Sequence, residues 1–145
     1  MESKIKGTLY FGHPVNTYNT KFEQLLLYKI CCMFTKCFIE NPNQLKHQEG
    51  YKKWKEEKGN GMLYYFSEVL PKCDAGIFLP FKDGKWGAGV YGEAKKIFSQ
   101  GSPIFQIDEI GIITEIYSLD EVRALSIEET KERVYYWPSR SIRPY

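Results

Sequence analysis

The sequence holds little that would tie it to a metal, a membrane or a nucleic acid. Its four cysteines, Cys31, Cys32, Cys37 and Cys73, show neither CxxC nor Cys/His spacing, which excludes a zinc module and a disulfide framework. They sit among apolar neighbours and are expected to act as small buried hydrophobes. Apolar runs such as 75–81 fall far short of the roughly 20 residues needed to cross a bilayer. No apolar segment follows Met1-Glu2-Ser3-Lys4, so a secretory leader is not expected and the reading is a soluble, cytoplasmic chain. Charge of one sign is also lacking. Twenty basic against eighteen acidic residues give +2, too even a balance to indicate nucleic-acid binding. The one basic cluster, Lys52-Lys53-Trp54-Lys55, runs straight into Glu56 and Glu57 and reads as a solvated helix face with local ion pairs.

What remains is a chain of 145 residues, 43% hydrophobic and 16% aromatic, the size and composition of one globular domain spanning 1–145. Residues 4–11 read as a first strand, followed by a polar loop from His13 to Asn19. Thr20-Lys21-Phe22-Glu23 fits a capping box, and Phe22, Leu26, Ile30 and Met33 recur behind it at helical spacing. Residues 37–40 form a short second strand that Asn41-Pro42-Asn43 turns away. A polar helix from about Gln44 to Lys58 and a second helical stretch from Met62 to Lys72 follow. The continuous apolar run at 75–81 has the pattern of a strand covered on both sides in a parallel sheet. A helix from about Val90 to Gln100, a strand at 104–107, another across 110–116 and capping boxes at Ser118 and Ser126 complete the chain. This alternation predicts an α/β fold, a flavodoxin-like or Rossmann-like sandwich with a mostly parallel sheet. Ligands of such sheets bind beyond the carboxyl ends of the strands. Segments 10–19, 41–43 and 82–93 are therefore expected to converge on one crevice.

The stretch Asp83-Gly84-Lys85-Trp86-Gly87-Ala88-Gly89-Val90-Tyr91-Gly92-Glu93 places four glycines within nine positions between a buried strand and a helix. Glycine allows backbone to approach a ligand closely, and the helix start offers free N–H groups to an anion. Glu93 is expected near the first turn, where the macrodipole favours the ionised carboxylate. Such a carboxylate suits a nucleophile at a sugar carbon, through an oxocarbenium-like transition state and a covalent glycosyl intermediate. Asp83, at the strand end, is the candidate second carboxylate, an acid/base or a ligand to sugar hydroxyls. The first loop, Gly12-His13-Pro14-Val15-Asn16, lacks the GxGxxG fingerprint of dinucleotide binding.

Three segments in order, Leu9-Tyr10-Phe11-Gly12-His13-Pro14, 69–79 (VLPKCDAGIFL) and Gly89-Val90-Tyr91-Gly92-Glu93-Ala94, resemble the nucleoside 2-deoxyribosyltransferase superfamily, which includes deoxynucleoside 5′-monophosphate N-glycosidases. The resemblance spans roughly residues 5–107 and keeps a glycine four positions before the glutamate. It implies a flavodoxin-like fold, an N-glycosidic bond as target and a glycosyl-Glu93 intermediate, with no metal and no organic cofactor. Asp74 matches the Asp that opens the buried strand and reads as structural, and Asp83-Gly84 matches an Asp-Gly at the strand end. Gly87 and Phe66 stand where many members carry an Asp.

Tyr10 at its strand end, His13 and Asn16 in the first loop, and Trp86, Gly87 and Gly89 in the glycine-rich loop are candidate substrate contacts, together with Gly12. His47 is expected on the surface. The segment 137–145, with its two prolines and two arginines, reads as an extended arm reaching toward a neighbouring subunit of a homodimer or larger homo-oligomer. The partner expected is thus a small nucleoside or nucleotide. Two alternatives stay open: a non-catalytic nucleotide-binding or interaction module of the same fold, and a TIR-like NAD glycohydrolase.

Overall fold

The computed structural model describes residues 2–145. Five strands form one sheet in the order β2-β1-β3-β4-β5: β1 (Gly7–Gly12), β2 (Cys37–Glu40), β3 (Ala75–Phe78), β4 (Ile104–Ile107) and β5 (Ile113–Ile116). The first four are mutually parallel, and β5 runs antiparallel to β4. Helices α1 (Lys21–Met33), α2 (Leu45–Lys58), α4 (Ala88–Ser99) and α5 (Ile127–Val134) connect and flank the strands. Between α2 and β3 lies α3 (Met62–Tyr64), which continues as a π turn (Tyr65–Val69) and a 3₁₀ turn (Leu70–Lys72). This is the expected flavodoxin-like α/β sandwich, with β3 three residues shorter than the apolar run suggested.

The period-two alternation of the strands sorts the core onto two faces. Leu9 and Phe11 of β1 and Ala75 and Ile77 of β3 point to one side, where Leu26, Ile30 and Phe34 of the α1 region cover them. Tyr10 and Phe78 point to the other, against Val90, Ala94 and Ile97 of α4. Glu93 falls inside this same α4 stripe by helical spacing, so it is buried with it. Gly7 and Asp74 tie the sheet's amino-terminal end together. Asp74 Oδ2 accepts the Thr8 N–H at 2.8 Å, and a Cβ on Gly7 would lie 2.0 Å from that oxygen. Asp74 is thereby the structural residue the sequence indicated.

Two expectations are corrected. Cys31 and Cys32 are exposed and Cys37 is half-buried, leaving Cys73 alone in the core. His47 is 4% exposed rather than on the surface, because α2 turns it toward the Glu40 carboxylate and the Tyr64 hydroxyl. The carboxyl-terminal segment folds back on its own chain: Tyr135 pairs with Ile142, and the Tyr145 ring stacks with Phe22 and Phe81. No helix among the described residues is long and apolar enough to cross a membrane.

Candidate active site

The strand order switches at β1, with β2 added on one side of it and β3 on the other, and a cavity of about 370 Å³ opens beyond the carboxyl ends of β1 and β3. The loop after β1 lends it His13, Pro14, Val15 and Tyr18, the turn after β2 lends Pro42, and α4 with its N-cap Gly87 lends Gly89, Val90 and Glu93. Gln48 and Tyr51 of α2 with Met62 and Tyr65 close a second side, while Phe81 and the α5 residues Thr130, Val134 and Tyr135 close a third. Three of these segments were expected to converge here. The contributions of α2, α3 and α5 carried no local signal, since each is brought in by packing over a long sequence separation.

Glu93 forms the floor. It is 7% exposed, and the Tyr10 hydroxyl donates to its Oε2 at 2.5 Å. Burial pushes the Glu93 carboxyl up to about 7, and the Tyr10 hydrogen bond opposes that rise. Its place corrects the sequence expectation. Glu93 is the sixth residue of Ala88–Ser99, past the first turn, so desolvation rather than the macrodipole sets its protonation. The tyrosines respond to the same enclosure: burial, then the nearby Glu93 charge, lifts the Tyr10, Tyr18 and Tyr65 phenols above their ordinary value. Gly12 does not line the cavity but makes room for its acid. A Cβ there would sit 2.6 Å from the Phe78 ring and 3.2 Å from Glu93 Oε1.

His13 is at the wall with its ring fully engaged. Nδ1 faces the Phe11 carbonyl at 3.1 Å, Nε2 faces Glu23 Oε2 at 2.7 Å, and the ring stacks on Phe11 with centroids 4.0 Å apart. Glu23 was expected to complete the capping box. Thr20 does cap α1 by accepting the Glu23 N–H, but the Glu23 carboxylate turns instead to His13, the Asn19 N–H and the Asn43 amide. Burial acts to raise the Glu23 carboxyl, and these partners outweigh it to hold the group below its usual value. Sequence reasoning missed this buried pair because a cap glutamate and a loop histidine ten positions away carry no mark of their meeting.

The other candidates lie elsewhere. Asp83 forms a two-point ion pair with Arg133, both contacts 2.7 Å, and lines a separate cavity with Asn16, Arg143 and Tyr145. The Arg133 hydrogen bonds hold Asp83 down to about 2, so it is neither beside Glu93 nor a proton donor near neutral pH. Asn16 is buried there, its amide donating to the Arg133 carbonyl at 3.3 Å. Trp86 is 1% exposed, packed against Phe78 with its indole N–H donating to Gln106 at 3.0 Å. It is a core residue whose neighbouring glycines made it look free. Gly87 and Gly89 do reach the cavity, where Thr130 Oγ1 accepts the Ala88 N–H at 2.9 Å and fixes the start of α4. Among the described residues no group of three or more His, Cys, Asp or Glu side chains is placed to hold a metal ion.

No protein-family model, curated protein or solved structure matches this chain.

Proposed function

We propose that the protein cleaves or transfers the N-glycosidic bond of a nucleoside or nucleotide, with Glu93 as the nucleophile. The observation that carries this reading is the Glu93 carboxylate, buried, held by Tyr10 and open to a cavity walled by aromatic side chains. A base lies against Tyr51, Tyr65 and Phe81, which places the sugar over Glu93. The ionised carboxylate attacks C1′, its charge stabilising the oxocarbenium-like transition state, and the base departs. Water or an acceptor base then releases the glycosyl group. A 5′-phosphate, where the substrate carries one, lies against the Gly87–Gly89 end of α4, whose first N–H groups lack acceptors within the helix. Asp83 has no part in this scheme, because Arg133 holds it in the neighbouring cavity.

The same reading takes the protein as a cytoplasmic homo-oligomer. Four free thiols support the compartment, and the exposed Phe38, Tyr117 and Trp137 support self-association. Chromatography of free base after incubation with nucleosides, deoxynucleosides, their 5′-monophosphates and NAD tests the chemistry. Wild type is expected to release base, and Glu93→Ala to lose on the order of 10³-fold or more while keeping its circular dichroism. No release from any substrate, or undiminished release by a folded Glu93→Ala, overturns the proposal.

A further inference from the structure

Apart from hydroxyl and amide groups, the described residues of the cavity offer a departing base no proton donor but Glu93 itself. Glu93 is the one carboxylate among the described residues that line it. Both His13 nitrogens face acceptors, the Phe11 carbonyl and the Glu23 carboxylate, so neither presents an N–H to the cavity. The Tyr10 hydroxyl is committed to Glu93, and burial makes the Tyr18 and Tyr65 phenols weaker acids than ordinary tyrosine. A neutral nucleobase leaves as an anion unless a general acid protonates it. A base that is already cationic in the substrate leaves as a neutral molecule and needs no proton.

The walls fit the same kind of ligand. Tyr18, Tyr51, Tyr65, Tyr135 and Phe81 line the cavity, and no lysine or arginine does. The one basic side chain in the lining, His13, is paired with Glu23, so an ionised Glu93 in this enclosure has no cation of its own, and burying an unbalanced carboxylate is costly. A flat organic cation answers both features, pairing with the carboxylate and lying among aromatic rings that attract positive charge.

We infer that the site takes N-glycosides whose base carries a fixed positive charge, of the pyridinium or N-alkylpurinium class. The inference rests on the glycosidic reading above. A Glu93 oxygen bonds to C1′ as the C1′–N bond breaks, and the electron pair of that bond neutralises the ring nitrogen, so the base departs uncharged. Water then adds to the glycosyl group. One of its protons passes to solvent, the hydroxyl stays on the sugar, and Glu93 is returned as carboxylate.

The test pairs each cation with a near-isosteric uncharged partner: nicotinamide mononucleotide with its 1,4-dihydro form, and 7-methylguanosine 5′-monophosphate with guanosine 5′-monophosphate. Base release by wild type and Glu93→Gln is followed chromatographically, each rate divided by the spontaneous rate in buffer. The rate enhancement is expected to be at least about 100-fold larger for a cation than for its partner, the lower end of what a general acid contributes, and to disappear in Glu93→Gln. Equal or larger enhancement for the uncharged partners overturns the inference and leaves the glycosidic reading in place. No release from any member, with ordinary deoxynucleoside monophosphates included, overturns both.

Discussion

Glu93 joins function and stability in one side chain. Burial lifts its carboxyl to about 7 from an unfolded value near 4.5, so the folded chain holds a proton over that interval that the unfolded chain has lost. Stability tied to this group is complete below about 4.5, falls as pH rises, and levels off above about 7. Glu93→Gln keeps an acceptor for the Tyr10 hydroxyl without the buried charge. It is expected to be more stable than wild type by on the order of 3 kcal/mol at pH 8, with the difference vanishing at pH 4.5. Urea denaturation at the two pH values measures it, and a constant difference would contradict the assignment. Catalysis has the opposite requirement, since only the ionised form attacks. The kcat/KM profile should rise through a pH of about 7. Tyr10→Phe removes the hydrogen bond that lowers the Glu93 value, so its profile should shift to higher pH, and an unmoved inflection would count against Tyr10 as the positioning residue. Both the acid and the tyrosine were legible as candidates, one from its glycine-rich loop and one from its strand end. Their contact, across 83 positions of sequence, was not.

Elements carried their own signals unevenly. The apolar run before the glycine-rich loop identified β3 and the start of α4, because a strand buried on both faces has no polar alternation to disguise it. The capping boxes at Ser118 and Ser126 are present as read, each with its reciprocal Glu contact. The segment from β2 to α3 was the least legible, for its order comes from side chains meeting between elements. His47 on α2 sits between Glu40 of β2, at 2.5 Å from Nε2, and the Tyr64 hydroxyl of α3, at 2.8 Å from Nδ1. Nothing in a polar, lysine-rich helix marks one histidine as its buried anchor. Glu40 belongs to the same cluster: burial acts to raise its carboxyl, and the His47 and Lys46 hydrogen bonds bring it below its usual value. Gln48 and Tyr51, within one turn of His47, line the Glu93 cavity, so this cluster fixes one wall of the site. His47→Ala should lower stability by about 1–3 kcal/mol through the lost buried hydrogen bonds. It should also raise KM more than it lowers kcat, since the wall loosens while Glu93 and Tyr10 stay in place. A variant with wild-type KM would show that α2 holds its position without the anchor.

At the scale of the molecule, topology placed the site before any residue was assigned to it, since a parallel sheet whose strand order switches between β1 and β3 leaves a crevice at their carboxyl ends. What topology could not reveal is how the chain's last residues are used. Two prolines and two arginines read as an arm directed at another subunit, yet its apolar partners lie within the same chain. The Tyr145 hydroxyl donates to the Pro80 carbonyl at 2.5 Å, and the ring stacks with Phe22 of α1 and Phe81 beyond β3, centroids 5.1 and 6.3 Å away. Phe81 also lines the Glu93 cavity, so the segment braces the site from behind while adding no group to it. Tyr145→Ala is expected to lower stability by about 2–4 kcal/mol, the range for removing a packed aromatic ring together with its hydrogen bond. Because every one of these contacts is within one chain, the loss measured by urea denaturation should be the same at 1 μM and 100 μM protein, roughly the span over which an intersubunit contact would register. A loss that grows as concentration rises would place the Tyr145 ring on a neighbouring copy and return the arm to the role its composition first suggested.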